Sequence, residues 1–337
     1  MEKYTEILKE LYSDFSYSKF LDLLSEMDKK IIGGSTLNGE FLYYFNQIMN
    51  FINDDYLVDG QHITLGNMLL DDVLSSKEKI TPTLLIYFYL DKKKSLGLEQ
   101  YCNFVKKDYD KSSRMGITSL GESTMPDLLQ ITWDFYKEQN WSNEQYNYEI
   151  MRDIIHEITH VYQETRLEST DNLFDKLAFY DNKIDHILYR KIMLGGTAGN
   201  SAVHGSFLTE FMAYETSDVY MLEYAKRNSY FSDELIQKKL FDYKQKKSFD
   251  FHMYPRNTFN DLLDFIKKEY TRRENLDFIV PILQEIESIK QQELSIIEEL
   301  KKQGISENYN DNYYNIFLNA SYSFDGENII INDKYTK

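Results

Sequence analysis

His156, Glu157 and His160 stand in the run His156-Glu157-Ile158-Thr159-His160, an HExxH pattern. On an α-helix, residues i and i+4 lie one above the other on the same face, so both imidazoles can reach one metal ion. Glu157 then points beside that face. It can take a proton from a water that the metal activates, without being a ligand itself. Zinc suits such a set, because a catalytic zinc site uses three protein ligands and leaves the fourth position to water. The competing reading is two solvent-facing histidines on a helix beside an incidental glutamate.

The chemistry requires a helix, and the flanking residues supply one. Ser142 with Gln145 three positions on has the form of a capping box. Met151, Ile154, Ile155, Ile158 and Tyr162 then give an apolar stripe at i, i+3, i+4, i+7 and i+11. A helix is expected to start after Ser142 and to run to about Arg166, with HEITH inside it. Ile154, Ile158, Thr159, Val161 and Tyr162 are uncharged, which permits a partly buried site.

HEITH followed by Val161-Tyr162 resembles the metal helix of the zincin metallopeptidases, in their thermolysin-like branch. The resemblance covers that helix and one downstream segment. Asp153 departs from it, since such motifs usually carry Val or Thr there. The metzincin arrangement would place Gly at 163 and His at 166, where this chain has Gln163 and Arg166. The gluzincin arrangement takes a Glu from a second helix, often as ExxA. The resemblance therefore implies Glu210 as third ligand, in Leu208-Thr209-Glu210-Phe211-Met212-Ala213, with the small Ala213 letting two helices approach closely. The alternative for Glu210 is an ordinary surface carboxylate. Glu215 is the other candidate ligand; it is rotated ~140° from Glu210 on an ideal helix, so both cannot bind one ion.

Thermolysin-like members carry Asn before that Glu and Asp four after it. Here those positions hold Thr209 and Tyr214, so the groups that orient the zinc histidines must come from elsewhere. Asp153 and Glu164, three before His156 and four after His160, are candidates, and each also reads as a solvated or salt-bridged carboxylate. Peptide hydrolysis further needs a donor for the developing oxyanion. His204, Tyr214 and Tyr220 are candidates, with His204 and Tyr214 preferred. His62, His186 and His252 have no partner signal. The implied cofactor is one Zn2+ ion, and the implied partner is a peptide or protein substrate.

Composition narrows the alternatives. The 337 residues carry 38 Lys and Arg against 55 Asp and Glu, a formal charge of −17. Such a chain lacks the clustered positive charge that nucleic acids and anionic membrane surfaces attract. Cys102 is the sole cysteine, which excludes an intramolecular disulfide and a Cys-rich zinc site. The N-terminal MEKYTEILKELYSDF has no apolar h-region, and the longest apolar run, Leu84 to Leu90, falls far short of the ~20 residues of a membrane helix. A cytoplasmic location is the default expectation, with leaderless export as the alternative. Neither a phosphate-binding Gly-rich loop nor a GxSxG elbow is present.

Four prolines and fourteen glycines are few for this length, which favours long helices. Helices are expected from Tyr4 to Phe15, from Phe41, over 172–193, from Ser206 to Arg227, and over 232–247 and 258–273. Mixed short elements are expected over about 57–112, and strands at 116–120 and 127–133. The Gly-rich stretch Gly195–Gly205 is expected to be a mobile loop bordering the active site. Ile279, Ile282, Ile286, Ile289, Ile296 and Leu300 give a helical stripe, read as an amphipathic helix on the body or a short coiled coil. That 279–300 helix is a candidate for self-association or partner binding. The tail is a candidate hairpin with Asp325-Gly326 as its turn.

The expected fold is predominantly α with a small mixed β-sheet, an α+β arrangement. It comprises an N-terminal helical segment (1–75), a zincin-like core (76–230) and a helical C-terminal segment ending in a hairpin (231–337). The expected function is zinc-dependent peptide hydrolysis with Glu157 as general base. The alternatives are a specialised zincin, such as a toxin, a regulator-cleaving enzyme or a zinc-dependent sensor, and a helical scaffold in which HEITH is accidental.

Overall fold

The computed structural model describes residues 16–33, 39–58, 61–98, 102–106, 115–118, 127–166, 208–248, 276–303, 322–324 and 329–331, with isolated positions in 6–13 and 173–187. Over these residues the chain is predominantly helical and its strands are short. The helices are α1 (Tyr17–Gly33), α2 (Gly39–Asn53), α3 (Leu65–Ser75), α4 (Pro82–Ser95), α5 (Trp133–Glu138), α6 (Asn143–Arg166), α7 (Leu208–Asn228), α8 (Asp233–Ser248) and α9 (Leu276–Lys302). The strands are β1 (Asp55–Val58), β2 (Gln61–Thr64), β3 (Cys102–Lys106), β4 (Met115–Thr118), β5 (Asp127–Ile131), β6 (Tyr322–Phe324) and β7 (Ile329–Ile331). Among the described residues, no helix is long and apolar enough to cross a membrane.

The chain divides into two units. One comprises Met1–Ile158 with Ala225–Leu235, and the other Thr159–Tyr224 with Ile236–Lys337. In the first unit the core is organised around α4, against which α1, α2 and α3 pack. Helix α4 starts where the sequence provides a cap. The Thr81 side chain accepts from the Leu84 amide and Pro82 occupies the first turn, where its missing N–H costs nothing. Asp28, reaching over from α1, accepts from the Thr83 N–H at 2.7 Å. Burial raises the Asp28 carboxyl above its ordinary value, and the hydrogen bonds from Thr83 and Thr81 oppose that rise. Lys92, Lys93 and Lys94 end the helix where its dipole favours cations, and Gly97 adopts a positive φ just beyond.

Every residue of α4 from Pro82 to Leu90 is buried. A helix buried on all sides carries no amphipathic period. This is why the apolar run 84–90 gives no helical signature; it lies within the span 57–112 expected to hold mixed short elements, where the described residues form the end of β1, then β2, α3, α4 and β3. The capping Thr81 and Pro82 were the available signal. Tyr87 on α4 shares a 2.6 Å hydrogen bond with Thr64, which also caps α3 by accepting from the Asn67 N–H at 3.1 Å. Gly66 lies under the Tyr87 ring, and a Cβ there would sit 2.2 Å from a ring carbon, so only glycine fits.

Strand β5 pairs in parallel with β3 and antiparallel with β4. Strand β5 falls within the segment 127–133 read as a strand from sequence, though Trp133 already opens α5, and β4 overlaps the segment 116–120 but starts one residue earlier, at Met115. Leu129 and Ile131, two apart on β5, are both buried, as expected for one face of a strand.

In the second unit, α7 buries Ala213, Thr216, Ser217, Val219, Met221 and Leu222, and α8 buries Ile236, Leu240 and Tyr243. Helix α9 buries Ile282, Ile286 and Glu293 within the chain itself. Strands β6 and β7 pair antiparallel, with Phe324 opposite Ile329. The proposed turn at Asp325-Gly326 lies outside the described residues. So do the expected helix over 258–273 and most of the expected N-terminal helix and of 172–193, although Glu6, Lys9, Glu10, Ser13, Leu173 and Lys176 are helical.

Candidate metal centre

Helix α6 forms where the sequence requires it. The Ser142 hydroxyl accepts from the Gln145 N–H at 3.2 Å and the Ser142 carbonyl takes the Tyr146 N–H at 2.8 Å, so Ser142 is the N-cap. The helix then runs unbroken for 24 residues to Arg166. His156, Glu157 and His160 therefore have the helical spacing that the HExxH chemistry needs.

The first turns of α6 are pinned from several directions. Asn147 is buried; its amide accepts from the Ile80 N–H at 2.9 Å and donates to the Glu78 carbonyl at 2.7 Å. Asn143 donates to the Lys77 carbonyl at 3.1 Å. Glu144 accepts from both the backbone N–H and the hydroxyl of Ser232, the residue that in turn caps α8. Tyr148 meets the Phe231 ring edge to face at 5.6 Å. An aromatic group around Tyr136, with Phe135, Trp141 and Tyr146, completes this end. Burial, with the nearby Asp28 charge, pushes the Tyr146 hydroxyl up to about 12, so it stays a neutral packing group.

Further along, α6 carries polar side chains into the interior. Glu149, Arg152, Asp153, His156, Glu157, Thr159 and Gln163 are all buried, while His160 is partly exposed. Arg152 Nη1 lies 3.6 Å from carboxylate oxygens of both Glu149 and Asp153. The Tyr136 hydroxyl donates to Asp153 Oδ2 at 2.6 Å. This accounts for the acidic residue where zincin motifs carry Val or Thr: Asp153 anchors α5 to α6 one turn before His156. Hydrogen bonding and a guanidinium neighbour are what make a buried carboxylate tolerable.

His160 has a polar partner on its own helix. Its Nδ1 lies 3.0 Å from Gln163 Oε1, and Gln163 is only 2% exposed. The sequence alone offers Asp153 and Glu164 as orienting groups and marks Gln163 only as the residue standing where metzincins have glycine. Its i+3 spacing from His160 was the signal that could have found it.

The remaining site residues are placed as follows. Glu210 is the third residue of α7, and Ala213 on the next turn is fully buried. The side chains of Glu210, Glu215 and Glu164 lie outside the described residues, as does all of His204 and the Gly195–Gly205 stretch. Tyr214 is 43% exposed, and its carbonyl accepts from the Ser217 hydroxyl at 2.9 Å. Tyr220 stacks on Tyr224 with ring centroids 6.1 Å apart. His62 is exposed on β2. Among the described residues, no three His, Cys, Asp or Glu side chains come together in a way that could hold a metal ion.

The donor chemistry of α6 nonetheless fits a metal. His156 and His160 stand one helical turn apart on α6, His160 Nδ1 lies beside Gln163 Oε1, and the buried carboxylate of Glu157 follows His156 in the sequence. Comparison with protein-family models, with curated proteins and with solved structures gave no match.

Proposed function

We propose that the chain is a zinc-dependent metallopeptidase built on a zincin-like core, with a small mixed sheet preceding the metal helix. The observation that carries this reading is the HExxH run inside the unbroken, capped helix α6, with His156 and Glu157 buried. His156, His160 and Glu210 are the residues that would hold one zinc ion. When bound, that ion supplies a Lewis acid that activates water and the substrate carbonyl. Glu157 takes the water's proton and later delivers it to the leaving amine. His204 and Tyr214 are the candidate donors to the developing oxyanion. An extended peptide would pair with an edge strand, which holds the scissile bond still. The residues after about 230 would shape the cleft or recruit a target.

The test is metal content and turnover together. Protein purified without added zinc is expected to hold about one zinc ion per chain, as a catalytic site does. His156→Ala and His160→Ala are each expected to lose most of it. Glu157→Gln should keep the metal and lose hydrolysis by roughly 10²–10⁴-fold. Glu210→Gln should weaken zinc binding by about 10–100-fold or more, and Glu215→Gln should leave it nearly unchanged. Equal zinc content in the wild type and in the double histidine variant would sink the reading.

A further inference from the structure

We infer that Gln163 is a positioning residue. Its side-chain oxygen locks His160 in the Nδ1–H tautomer and so leaves Nε2 with the lone pair that a metal ion needs. The inference rests on reading HEITH as a metal centre.

The argument begins with the contact itself. Nδ1 of His160 lies 3.0 Å from Gln163 Oε1, a normal hydrogen-bond distance. An amide oxygen can only accept, so the proton of this bond belongs to Nδ1. A neutral imidazole carries a single N–H, so Nε2 is then the unprotonated nitrogen. Metal-bound histidines commonly donate their other ring N–H to a carboxylate, a carbonyl or water, which fixes both tautomer and ring orientation. Here an amide carbonyl fills that role.

Three features make the arrangement a restraint rather than a passing contact. Gln163 is 2% exposed, so water competes poorly for Nδ1. Both residues are on α6, three positions apart, so the bond needs no loop to be in place. His160 is also the more exposed of the two histidines, and so has the greater rotamer freedom to restrain. The choice of Gln has a chemical consequence. A carboxylate partner would raise the basicity of the ring and add a negative charge beside the site, whereas an amide orients the ring and leaves the charge of the site unchanged.

The experiment uses the full chain. Histidine ring nitrogens are 15N-labelled, and long-range 1H–15N correlation is recorded on metal-free protein, with the His160→Ala spectrum identifying the His160 signals. The wild type is expected to show His160 with its proton on Nδ1. Gln163→Leu should abolish that preference, and Gln163→Glu, which keeps an acceptor, should restore it. Zinc affinity, read by competition with a chromophoric chelator, should fall by about 10–100-fold in Gln163→Leu and recover in Gln163→Glu.

Should Gln163→Leu fail to fold, as judged by loss of dispersion in the whole spectrum, Gln163→Met takes its place. A wild-type His160 protonated on Nε2 overturns the inference, as does an unchanged tautomer in the Leu or Met variant. A switched tautomer with unchanged zinc affinity also overturns the positioning role. A wild type that binds no zinc, yet whose tautomer follows Gln163, overturns the metal reading and the role together; the tautomer data keep that failure distinct from the others.

Discussion

Helices α4 and α6 are both buried over most of their length, but α6 buries charged and polar side chains among its apolar ones where α4 buries almost none. Helix α4 buries a continuous apolar and aromatic run from Leu84 to Leu90; its buried charged residue is Lys93, whose ammonium lies 5.5 Å from the Tyr89 ring centroid. Helix α6 buries every residue over 146–159, and that stretch includes Glu149, Arg152, Asp153, His156 and Glu157. Burying apolar area lowers the free energy of the folded chain, by roughly 25 cal/mol per Å². Burying charges raises it unless each is paired and hydrogen-bonded. In α6 the compensation is visible, since Arg152 stands between Glu149 and Asp153 and the Tyr136 hydroxyl donates to Asp153.

The comparison can be broken most directly at its two centres. Leu85 is fully buried in α4, and Leu85→Ala is expected to cost about 2–5 kcal/mol through lost burial and a residual cavity. Glu157→Gln in α6 keeps the volume and an oxygen that can accept a hydrogen bond, so its urea midpoint is expected to stay close to that of the wild type. A Glu157→Gln chain as destabilised as Leu85→Ala would mean that Glu157 is held for folding, and the distinction between the helices would collapse.

A smaller effect is expected from the partner of Asp153. Tyr136→Phe leaves the ring packing in place and removes the hydroxyl that bonds Asp153 at 2.6 Å. A buried carboxylate that loses a donor costs about 1–3 kcal/mol. Adding Asp153→Asn should recover part of that loss, because the charge itself is then gone. Losses that simply add in the double variant, measured by chemical denaturation, would show that the hydrogen bond carries no coupling.

The smallest effect is expected at the cap of α4. Asp28→Ala removes the acceptor for the Thr83 N–H and should cost about 1 kcal/mol. Asp28→Asn keeps an acceptor without the buried charge and should cost less. The sign with pH follows from the raised carboxyl. A folded-state value above the unfolded one means that the native chain holds this proton more tightly. Asp28 thus favours the folded state below the unfolded value, and that contribution is lost as pH rises through the folded one. Stability of the wild type relative to Asp28→Asn should therefore decline as pH rises across the carboxylate range; a relative stability that rises instead would show that the hydrogen bonds outweigh burial.

Much of what surrounds the candidate site was legible because it is encoded locally. The cap at Ser142, the apolar stripe and the end at Arg166 define α6 through bonds that span four residues, and α7 and α8 start and stop within two residues of where the sequence placed them. The HExxH spacing follows from the same short-range periodicity. Other features were not legible, because they join residues far apart in the chain. The pairing of β3 with β5, the anchoring of Glu144 by Ser232 and the bonds between Asn147 and the 78–80 segment all depend on which distant residues come together. Helix α4 escaped because total burial erases the period that marks an amphipathic helix.

The sequence by itself therefore determined which residue types could do chemistry and that a helix would space them correctly. Only the tertiary structure decided that His156 and Glu157 are buried and that Asp153 is spoken for by Tyr136. It also gave Gln163 its burial, and with it the shelter from water that its bond to His160 needs. The physical reason is that helical hydrogen bonds are made between near neighbours, whereas desolvation is conferred by whatever the rest of the chain packs against them.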